Sequence, residues 1–229
     1  MDACGIASEV LNISSFDCSN VGNNIVELTV TDVNNNVSTC TATVTVEDNV
    51  APVAECQPVT IQLDENGTAS VTAEQVDNGS NDACGIASLV LDMTSFDCAD
   101  LGGNTVELTV TDNNDNVSTC TAVVTVEDKI APTVTGCSGD MMVNAVAGDC
   151  SALVGLSVPV IDDNCGTTIS VVCDAPGSNI ISNELGLFPV GTSTVLCIVT
   201  DAAGNADTCA FDITVVDAEA PVITSCPDD

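Results

Sequence analysis

Acidic and amide side chains recur in short loops of this sequence, and their oxygen atoms are the groups best suited to chemistry. Clusters of carboxylate, amide and carbonyl oxygens are what Ca²⁺ prefers, in sets of about six to eight. The sequence therefore predicts calcium at two joints between successive repeats. The expected ligands are Glu47, Asp48, Asp77, Asp82 and Asp112 at the first joint, and Glu127, Asp128, Asp162, Asp163, Asp201 and Asn205 at the second.

A second interpretation of these loops remains open. Asp and Asn residues favour turn conformations, and exposed acidic side chains are commonly solvated without binding an ion. None of the loops has the complete DxDxDG…E spacing of a known calcium-binding loop. The sequence alone therefore leaves calcium binding and simple turn formation as alternatives.

The residue composition disfavours an enzyme. The sequence has no His, so imidazole cannot serve as a base, a proton shuttle or a metal ligand. Hydrolysis by a pair of carboxylates is the remaining enzyme chemistry. With 34 Asp and Glu residues some suitable pair is inevitable, so that signal has no specificity. We therefore expect a protein without catalytic residues.

The net charge excludes two classes of partner. The formal charge is −33, and Lys129 is the single basic residue. Nucleic-acid binding requires Lys and Arg to replace counterions along the phosphates, and anionic membranes attract basic segments. We therefore expect neither partner. Mutual repulsion would instead keep a string of such repeats extended and soluble.

The acidic loops recur because the sequence itself repeats. A segment that starts DACGIAS at Asp2 recurs at Asp82, and a diverged third copy carries DDNCG at Asp162–Gly166. The predicted boundaries are 1–50 for the C-terminal part of a repeat, 51–130 for a complete repeat, 131–219 for a complete module, and 220–229 for the first strand of a following module. We therefore expect a piece of a larger exported protein.

Alternation of apolar and polar residues predicts that each repeat is all-β. Thr105–Thr111 and Cys120–Val126 alternate with a period of two, and the turn-forming run Asp112–Asn116 separates them. A second hairpin is predicted from Val59–Leu63 and Thr68–Ala73. About seven short strands in each repeat are typical of an immunoglobulin-like sandwich. The predicted fold is therefore a series of immunoglobulin-like β-sandwich modules, joined end to end and linked by disulfides.

The cysteines indicate an oxidising compartment. The sequence holds 14 Cys without a C-x-x-C pair and without His, which disfavours zinc sites. Widely spaced cysteines in an acidic β-rich chain are typical of disulfides in exported proteins. We therefore predict a secreted or cell-surface protein.

Alignment of the repeats predicts a set of disulfides. Cys150 and Cys197 stand where the preceding repeat has Ala69 and Leu108, and their joint appearance favours a Cys150–Cys197 bond. The other predicted bonds are Cys4–Cys18, Cys84–Cys98 and Cys165–Cys173 across one strand and a turn, and Cys56–Cys120 and Cys137–Cys209 between first and last strands. Cys40 and Cys226 are expected to pair outside this segment. Several other connectivities remain open.

The third copy carries a set of short motifs that resembles a known family. These motifs are F-x-V-G at Phe188–Gly191, T-D-x-x-G-N at Thr200–Asn205, Thr-Cys at Thr208–Cys209 and V-x-D-x-x-A-P at Val215–Pro221. They resemble the hyalin repeat, an immunoglobulin-like module. The first two copies have Asn35 and Asp115 in place of the turn glycine and lack F-x-V-G. They are more similar to repeats of very large surface adhesins of gliding and biofilm-forming bacteria. The resemblance implies adhesion or extracellular structure and no catalytic residues.

These observations together predict a rigid stalk or filament segment of a cell-surface adhesin. Its expected neighbours are other repeats of the same protein. One alternative is a calcium-dependent module whose loops bind surface glycans, although the absence of Trp and Tyr disfavours an aromatic glycan platform. Another is a subunit of a self-assembling fibre, in which Val222–Cys226 of one copy completes the first repeat of another and Cys226 pairs with Cys40.

Overall fold

The computed structural model describes residues 4–157, 159–166, 170–182 and 184–222. The chain divides into two compact units. The first unit consists of Met1–Val59, Val71–Thr94 and Asn104–Val124, and the second consists of Thr60–Ser70, Ser95–Gly103 and Thr125–Asp229. No helix within the described ranges is long and apolar enough to cross a membrane. The predicted repeat boundaries remain a prediction.

The described residues are mainly β-strands. The strands as far as residue 127 are β1 (Ile6–Leu11), β2 (Gly22–Asp32), β3 (Val37–Val46), β4 (Val59–Gln62), β5 (Thr68–Ser70), β6 (Ile86–Leu91), β7 (Ser95–Asp97), β8 (Gly102–Asp112) and β9 (Val117–Glu127). Those beyond it are β10 (Thr133–Thr135), β11 (Met141–Asn144), β12 (Ser151–Gly155), β13 (Val160–Asp162), β14 (Ser170–Asp174), β15 (Asn179–Ser182), β16 (Leu185–Pro189), β17 (Gly191–Thr200) and β18 (Ala206–Val216). The helical elements are α1 (Ala73–Val76) and 3₁₀ turns at Cys18–Asn20 and Cys98–Asp100.

The first two sequence copies fold in the same way. In the first copy β1 and β3 flank β2 in an antiparallel sheet, and Leu11 lies opposite Leu28. In the second copy β6 pairs with β8, and Leu91 lies opposite Leu108. Each of these pairings has an irregularity in its register near the start of the first strand. Identical alternation in the two copies therefore gives identical strand register, as expected when one face of the sheet is selected by its apolar residues.

Burial in the second copy follows the predicted period of two. Along β8, the side chains of Val106, Leu108 and Val110 are fully buried while Glu107 between them is exposed. The sheet order is β4-β9-β8-β6, whereas β5 pairs with β7 in a separate sheet. The predicted hairpin of Val59–Leu63 with Thr68–Ala73 is therefore wrong. The connecting turn passes the chain from one sheet to another, and α1 replaces the end of the second predicted strand.

The second unit contains a two-sheet sandwich of the immunoglobulin-like kind. One sheet has the order β11-β18-β17-β14 and the other has the order β12-β16-β15. Their side chains form one buried cluster, to which β16 contributes Phe188, β17 contributes Val195, and β18 contributes Phe211 and Ile213. The all-β, disulfide-linked fold predicted from the sequence is confirmed at this level.

Each unit contains disulfides that join two residues of that same unit. The bonds in the described residues are Cys18–Cys84, Cys56–Cys120, Cys98–Cys165, Cys137–Cys209 and Cys173–Cys197. Cys56–Cys120 and Cys137–Cys209 are the bonds expected between first and last strands. Cys40 and Cys150 are exposed free thiols, and Cys226 lies outside the described residues.

Four predicted disulfides are corrected by the structure: Cys4–Cys18, Cys84–Cys98, Cys165–Cys173 and Cys150–Cys197. An extended six-residue strand follows Cys4 and carries the chain about 20 Å away before the turn that contains Cys18. A disulfide spans a Cα–Cα distance of only about 4–7 Å. Cys18 therefore bonds to the next copy, and its equivalent Cys98 does the same.

Cys197 is bonded to Cys173, its neighbour in the same sheet. The two residues lie directly opposite each other on β14 and β17, with Cα atoms 4.0 Å apart. Closely spaced antiparallel pairs of this kind bring side chains together without any backbone rearrangement. Adjacency within one sheet therefore overrides the cross-sheet bond expected between Cys150 and Cys197.

Candidate functional site

Three copies of one turn carry a buried aspartate at the end of a long strand. In every copy, one carboxylate oxygen accepts a hydrogen bond of 2.8–2.9 Å from the backbone N–H of the asparagine four residues later. The other oxygen accepts one of 2.7–2.8 Å from the side-chain amide of that asparagine. The pairs are Asp32–Asn36, Asp112–Asn116 and Asp201–Asn205. Each carboxylate therefore closes its own turn.

These hydrogen bonds favour the charged form of the aspartate. For Asp32, the hydrogen bonds from the side chain and the backbone of Asn36 lower the pKa below its usual value, although burial opposes them. For Asp112, burial raises the pKa, but the hydrogen bonds from the Asn116 side chain and from the Asn114 and Asn116 backbone outweigh it and leave the pKa lowered. The turns of the first two copies are therefore held by ionised carboxylates at neutral pH.

The asparagine of the turn also binds the loop that follows the last strand of the preceding repeat. The side-chain amide of Asn116 donates to the backbone carbonyl of Asp48, and that of Asn205 donates to the backbone carbonyl of Asp128, each over 3.2 Å. The carboxylates of Asp48 and Asp128 also accept equivalent hydrogen bonds, from the backbone N–H groups two residues later at 3.1 and 3.0 Å. The same turn-to-loop arrangement is thus built once in each unit.

In the second unit this arrangement gathers acidic groups into one cluster. We define the Asp128 cluster as Asp128, Asp163, Asn164 and Asp201. One carboxylate oxygen from each aspartate lies within 4.8 Å of the others. The amide nitrogen of Asn164 donates to Asp128 Oδ1 over 3.2 Å. Only 5 % of Asp128 is exposed, so its charge is largely withdrawn from water.

Two side-chain oxygens of the Asp128 cluster have no hydrogen-bond donor. Asp163 Oδ1 and Asn164 Oδ1 are buried and accept no hydrogen bond from any described residue. The other oxygen of Asp163 is used locally, since it accepts from the backbone N–H groups of Cys165 and Gly166 at 3.1 and 3.0 Å. The ammonium of Lys129 pairs with Glu127 at 3.5 Å. Buried acceptors without donors are costly, which makes the cluster a candidate cation site.

The first unit contains a smaller version of this arrangement. We define the Asp48 cluster as Asp48 and Asp82. Their carboxylate oxygens and the sulfur of Cys84 lie within 4.8 Å of one another, but that sulfur is bonded to Cys18. Asp48 Oδ2 is buried and accepts no hydrogen bond from any described residue. Ala83 stands where the Asp128 cluster has Asn164, so one oxygen donor fewer is present.

A disulfide anchors the acidic loop of each cluster. Cys84 follows the loop that contains Asp82 and is bonded to Cys18, and Cys165 follows Asp163 and Asn164 and is bonded to Cys98. Gly67 packs against the second of these bonds. A Cβ atom at Gly67 would lie 2.7 Å from both Asn164 O and Cys98 Sγ, and its φ of +71° also favours glycine. The loops that supply the carboxylates are therefore held covalently.

The predicted calcium ligands are divided by the structure into two groups. Five of them lie in the clusters, namely Asp48, Asp82, Asp128, Asp163 and Asp201. The other six have separate roles. Asp112 and Asn205 hold turns, and Asp77 accepts hydrogen bonds from the backbone of Gly79 and Ser80. Glu127 pairs with Lys129, Glu47 accepts a hydrogen bond from Asn49, and Asp162 is exposed on β13. Asn164 follows Asp163 in the acidic loop predicted at the second joint, and its side-chain amide contacts Asp128.

Comparison with known proteins shows what the third copy and the whole chain are similar to. The profile of the HYR domain matches residues 127–215. The chain is 31 % identical over 203 residues to Hyalin of Strongylocentrotus purpuratus, which covers 84 % of this chain and 16 % of that protein. It is also 31 % identical over 217 residues to Hyalin of Lytechinus variegatus, with coverages of 91 % and 39 %. The Serine-rich adhesin for platelets of Staphylococcus aureus strain MSSA476 is 29 % identical over 184 residues, with coverages of 74 % and 7 %. The chain thus spans less than half the length of each of these relatives.

Proposed function

We propose that this chain is a non-catalytic, load-bearing segment of an extracellular adhesion protein, because residues 127–215 match the profile of the HYR domain. In this role it acts as a stalk or filament segment, and its partners are further repeats of the same protein. Its disulfides match an extracellular or cell-surface location, where thiols are oxidised. The relatives include a protein named as an adhesin, which supports the adhesive role.

The observation that carries this proposal is the pair of disulfides that cross from one repeat to the next. Cys18–Cys84 joins the first copy to the second across 66 residues, and Cys98–Cys165 joins the second to the third across 67 residues. A bond within one repeat would stabilise only that repeat. A bond between repeats instead provides a covalent path that bypasses most of the intervening chain.

That bypass limits how far the segment lengthens under tension. An unfolded chain extends by about 3.3–3.6 Å for each residue, so a bypass of 66 or 67 residues taken alone withholds about 220–240 Å of contour length. Cys56–Cys120 and Cys137–Cys209 bypass stretches that overlap these, so the withheld lengths do not simply add. The strands outside the bypass can separate, but the covalent path remains short. Such a property suits a protein that transmits force between a surface and a distant contact.

Stretching of single molecules of the full chain tests the proposal. We expect the oxidised protein to lengthen far less than the reduced protein. In a background with Cys56→Ala, Cys120→Ala, Cys137→Ala and Cys209→Ala, which removes two bonds that bypass overlapping stretches of chain, adding Cys98→Ala and Cys165→Ala should release about 220–240 Å of additional length. The matched control in the same background is Cys173→Ala with Cys197→Ala, which opens a loop of only 24 residues and should release about 80–90 Å. Equal extension of the oxidised and reduced proteins would rule out the load-bearing role of these bonds.

A second candidate, a subunit of a self-assembling fibre, is favoured by the surface of the first copy. Leu11 on β1, Leu28 on β2 and Cys40 on β3 lie side by side on one face of the sheet, where Leu11 is 47 % exposed and Cys40 is an exposed free thiol. Exposed apolar sheet faces favour association between chains. The strand expected to cover this face, Val222–Cys226, lies almost entirely outside the described residues. Disulfide-linked oligomers on a non-reducing gel, absent in a Cys40→Ser variant, are the result this candidate requires.

A further inference from the structure

We propose that the Asp128 cluster binds a divalent cation, with Ca²⁺ the preferred ion. The proposal concerns the second unit only and is independent of the load-bearing role. It rests on the side-chain oxygens that converge there and on the absence of hydrogen-bond donors for two of them in the described part of the chain.

The spacing of the carboxylates fits one shared ion. Ca²⁺ binds oxygen at about 2.3–2.6 Å, so two ligands on opposite sides of the ion lie about 4.6–5.2 Å apart. The oxygens of Asp128, Asp163 and Asp201 lie within 4.8 Å of one another. The three carboxylates are therefore close enough together to share one ion.

The position of the ion is indicated by the buried oxygens without donors rather than by the number of acidic residues. Asp201 uses both oxygens in its own turn, which a structural role explains completely. Asp163 Oδ1 and Asn164 Oδ1 have no such explanation, because both are buried and neither accepts a hydrogen bond from a described residue. An ion coordinated by these atoms would satisfy both acceptors and neutralise the repulsion among three carboxylates.

The surroundings of the Asp128 cluster favour a bound cation, because they are acidic and leave a cavity through which an ion can enter. Asp128 is nearly fully buried, and the single basic side chain in the sequence contacts Glu127. A cavity of about 330 Å³ is lined by Asp162, Asp163 and Asn164 together with Glu65 and Ile130, and provides room for water ligands and a route for the ion. A site with mixed carboxylate, amide and water oxygens suits Ca²⁺ better than Mg²⁺, which requires a smaller and strictly octahedral arrangement.

Titration of the chelator-treated full chain with CaCl₂, in buffer with about 0.15 M KCl, tests the proposal by calorimetry. This salt concentration screens diffuse attraction to the acidic surface. We expect saturable binding that an Asp163→Asn variant weakens at least about tenfold, because ligand charge sets calcium affinity. Asn164→Ala should weaken it by a smaller factor, and MgCl₂ should bind more weakly to the parent chain.

The matched control is Asp162→Asn, which removes the same charge from the adjacent residue; Asp162 is exposed and lines the same cavity but is not among the converging carboxylates, so it separates direct coordination from nearby charge. We expect it to change the affinity less than about threefold. Equal losses in the Asp162→Asn and Asp163→Asn variants, or no saturable binding in the parent chain, would overturn the proposal. Circular dichroism without calcium checks folding. If the Asp163→Asn variant does not fold, the Asn164→Ala variant tests the site instead. That variant should fold, because the Asp48 cluster already has an alanine, Ala83, at the equivalent position. An unchanged calcium affinity in the Asn164→Ala variant would contradict the site.

Discussion

The Asp128 cluster and the Asp48 cluster are built from the same local parts but differ in their oxygen donors. In both, a turn asparagine donates to the backbone carbonyl of the linking aspartate, and a disulfide follows the acidic loop. The Asp128 cluster brings three carboxylates together and adds the amide of Asn164. The Asp48 cluster has two carboxylates, and Ala83 occupies the position of the amide.

This difference separates the structural part of the arrangement from the part that could bind an ion. The turn, the linking hydrogen bond and the disulfide are present in both clusters, so they are sufficient to fold the loops. The buried oxygens without donors are more numerous where Asn164 replaces Ala83, with two in the Asp128 cluster and one in the Asp48 cluster. The two clusters therefore serve as internal controls for each other.

The largest expected effect comes from removing the disulfides beside the clusters. Loops of 66 and 67 residues are closed by Cys18–Cys84 and Cys98–Cys165, and a bond that closes a loop of that length contributes about 4 kcal/mol by restricting the unfolded chain. Each Cys→Ala double variant should therefore lose a similar free energy of unfolding in urea titrations. A large loss in one variant and none in the other would show that the clusters are not supported in the same way.

A smaller effect is expected at Gly67, which contacts the Asp128 cluster. Gly67→Ala should cost about 1–3 kcal/mol of unfolding free energy, because the new Cβ meets a backbone oxygen and a bonded sulfur and the backbone has a positive φ. The control is Gly148→Ala, whose φ is also positive at +80° but whose Cβ would meet no atom within 4 Å. Equal losses in the two variants would mean that contact with the cluster loop contributes nothing.

The turn of the first copy tests the structural role without a neighbouring cluster. The folded-state pKa of Asp32 is lowered, so the stability that its charge provides is present above its unfolded pKa of about 4 and is lost as the pH falls further. Asp32→Asn should therefore lower the melting temperature by a few degrees at pH 7. The difference from the parent chain should shrink below about pH 4. A difference that stays constant from pH 7 to pH 3 would contradict this role.

The smallest expected effect is a gain in calcium affinity at the Asp48 cluster. Ala83→Asn gives the Asp48 cluster the amide found in the Asp128 cluster, and it should raise calcium affinity in the first unit by about two- to fivefold. The measurement is best made in the Asp163→Asn background, where the Asp128 cluster no longer dominates the titration. An unchanged affinity would show that Asn164 is not the residue that distinguishes the two clusters.

The fold could be predicted from the sequence because its signals are local and repeated. Alternation in Thr105–Thr111 defines which side chains of β8 are buried, and the copy of this pattern at β2 has the same register. The hairpin predicted from Val59–Leu63 and Thr68–Ala73 failed because a short turn does not reveal whether the chain stays in one sheet. Local pattern therefore gave the strands but not every partner.

The disulfides and the clusters were harder to predict because both depend on partners that are distant in sequence. Cys84 lies close in sequence to Cys98, yet its partner Cys18 is 66 residues away. Two cysteines that are close in sequence can be far apart in space when an extended strand lies between them. Likewise, the predicted ligand set included Glu127 and Asp162, which carry the right charge but contact other groups or solvent. Only the fold distinguishes a carboxylate in a loop from one that meets its neighbours.

The central claim is that disulfides connect successive repeats and hold the acidic loops. Mass spectrometry of the unreduced full chain, digested after acidic residues because it contains a single Lys, tests this claim most directly. We expect linked peptides that contain Cys18 with Cys84 and Cys98 with Cys165. Linked peptides that contain Cys84 with Cys98, a bond within one repeat, would contradict it.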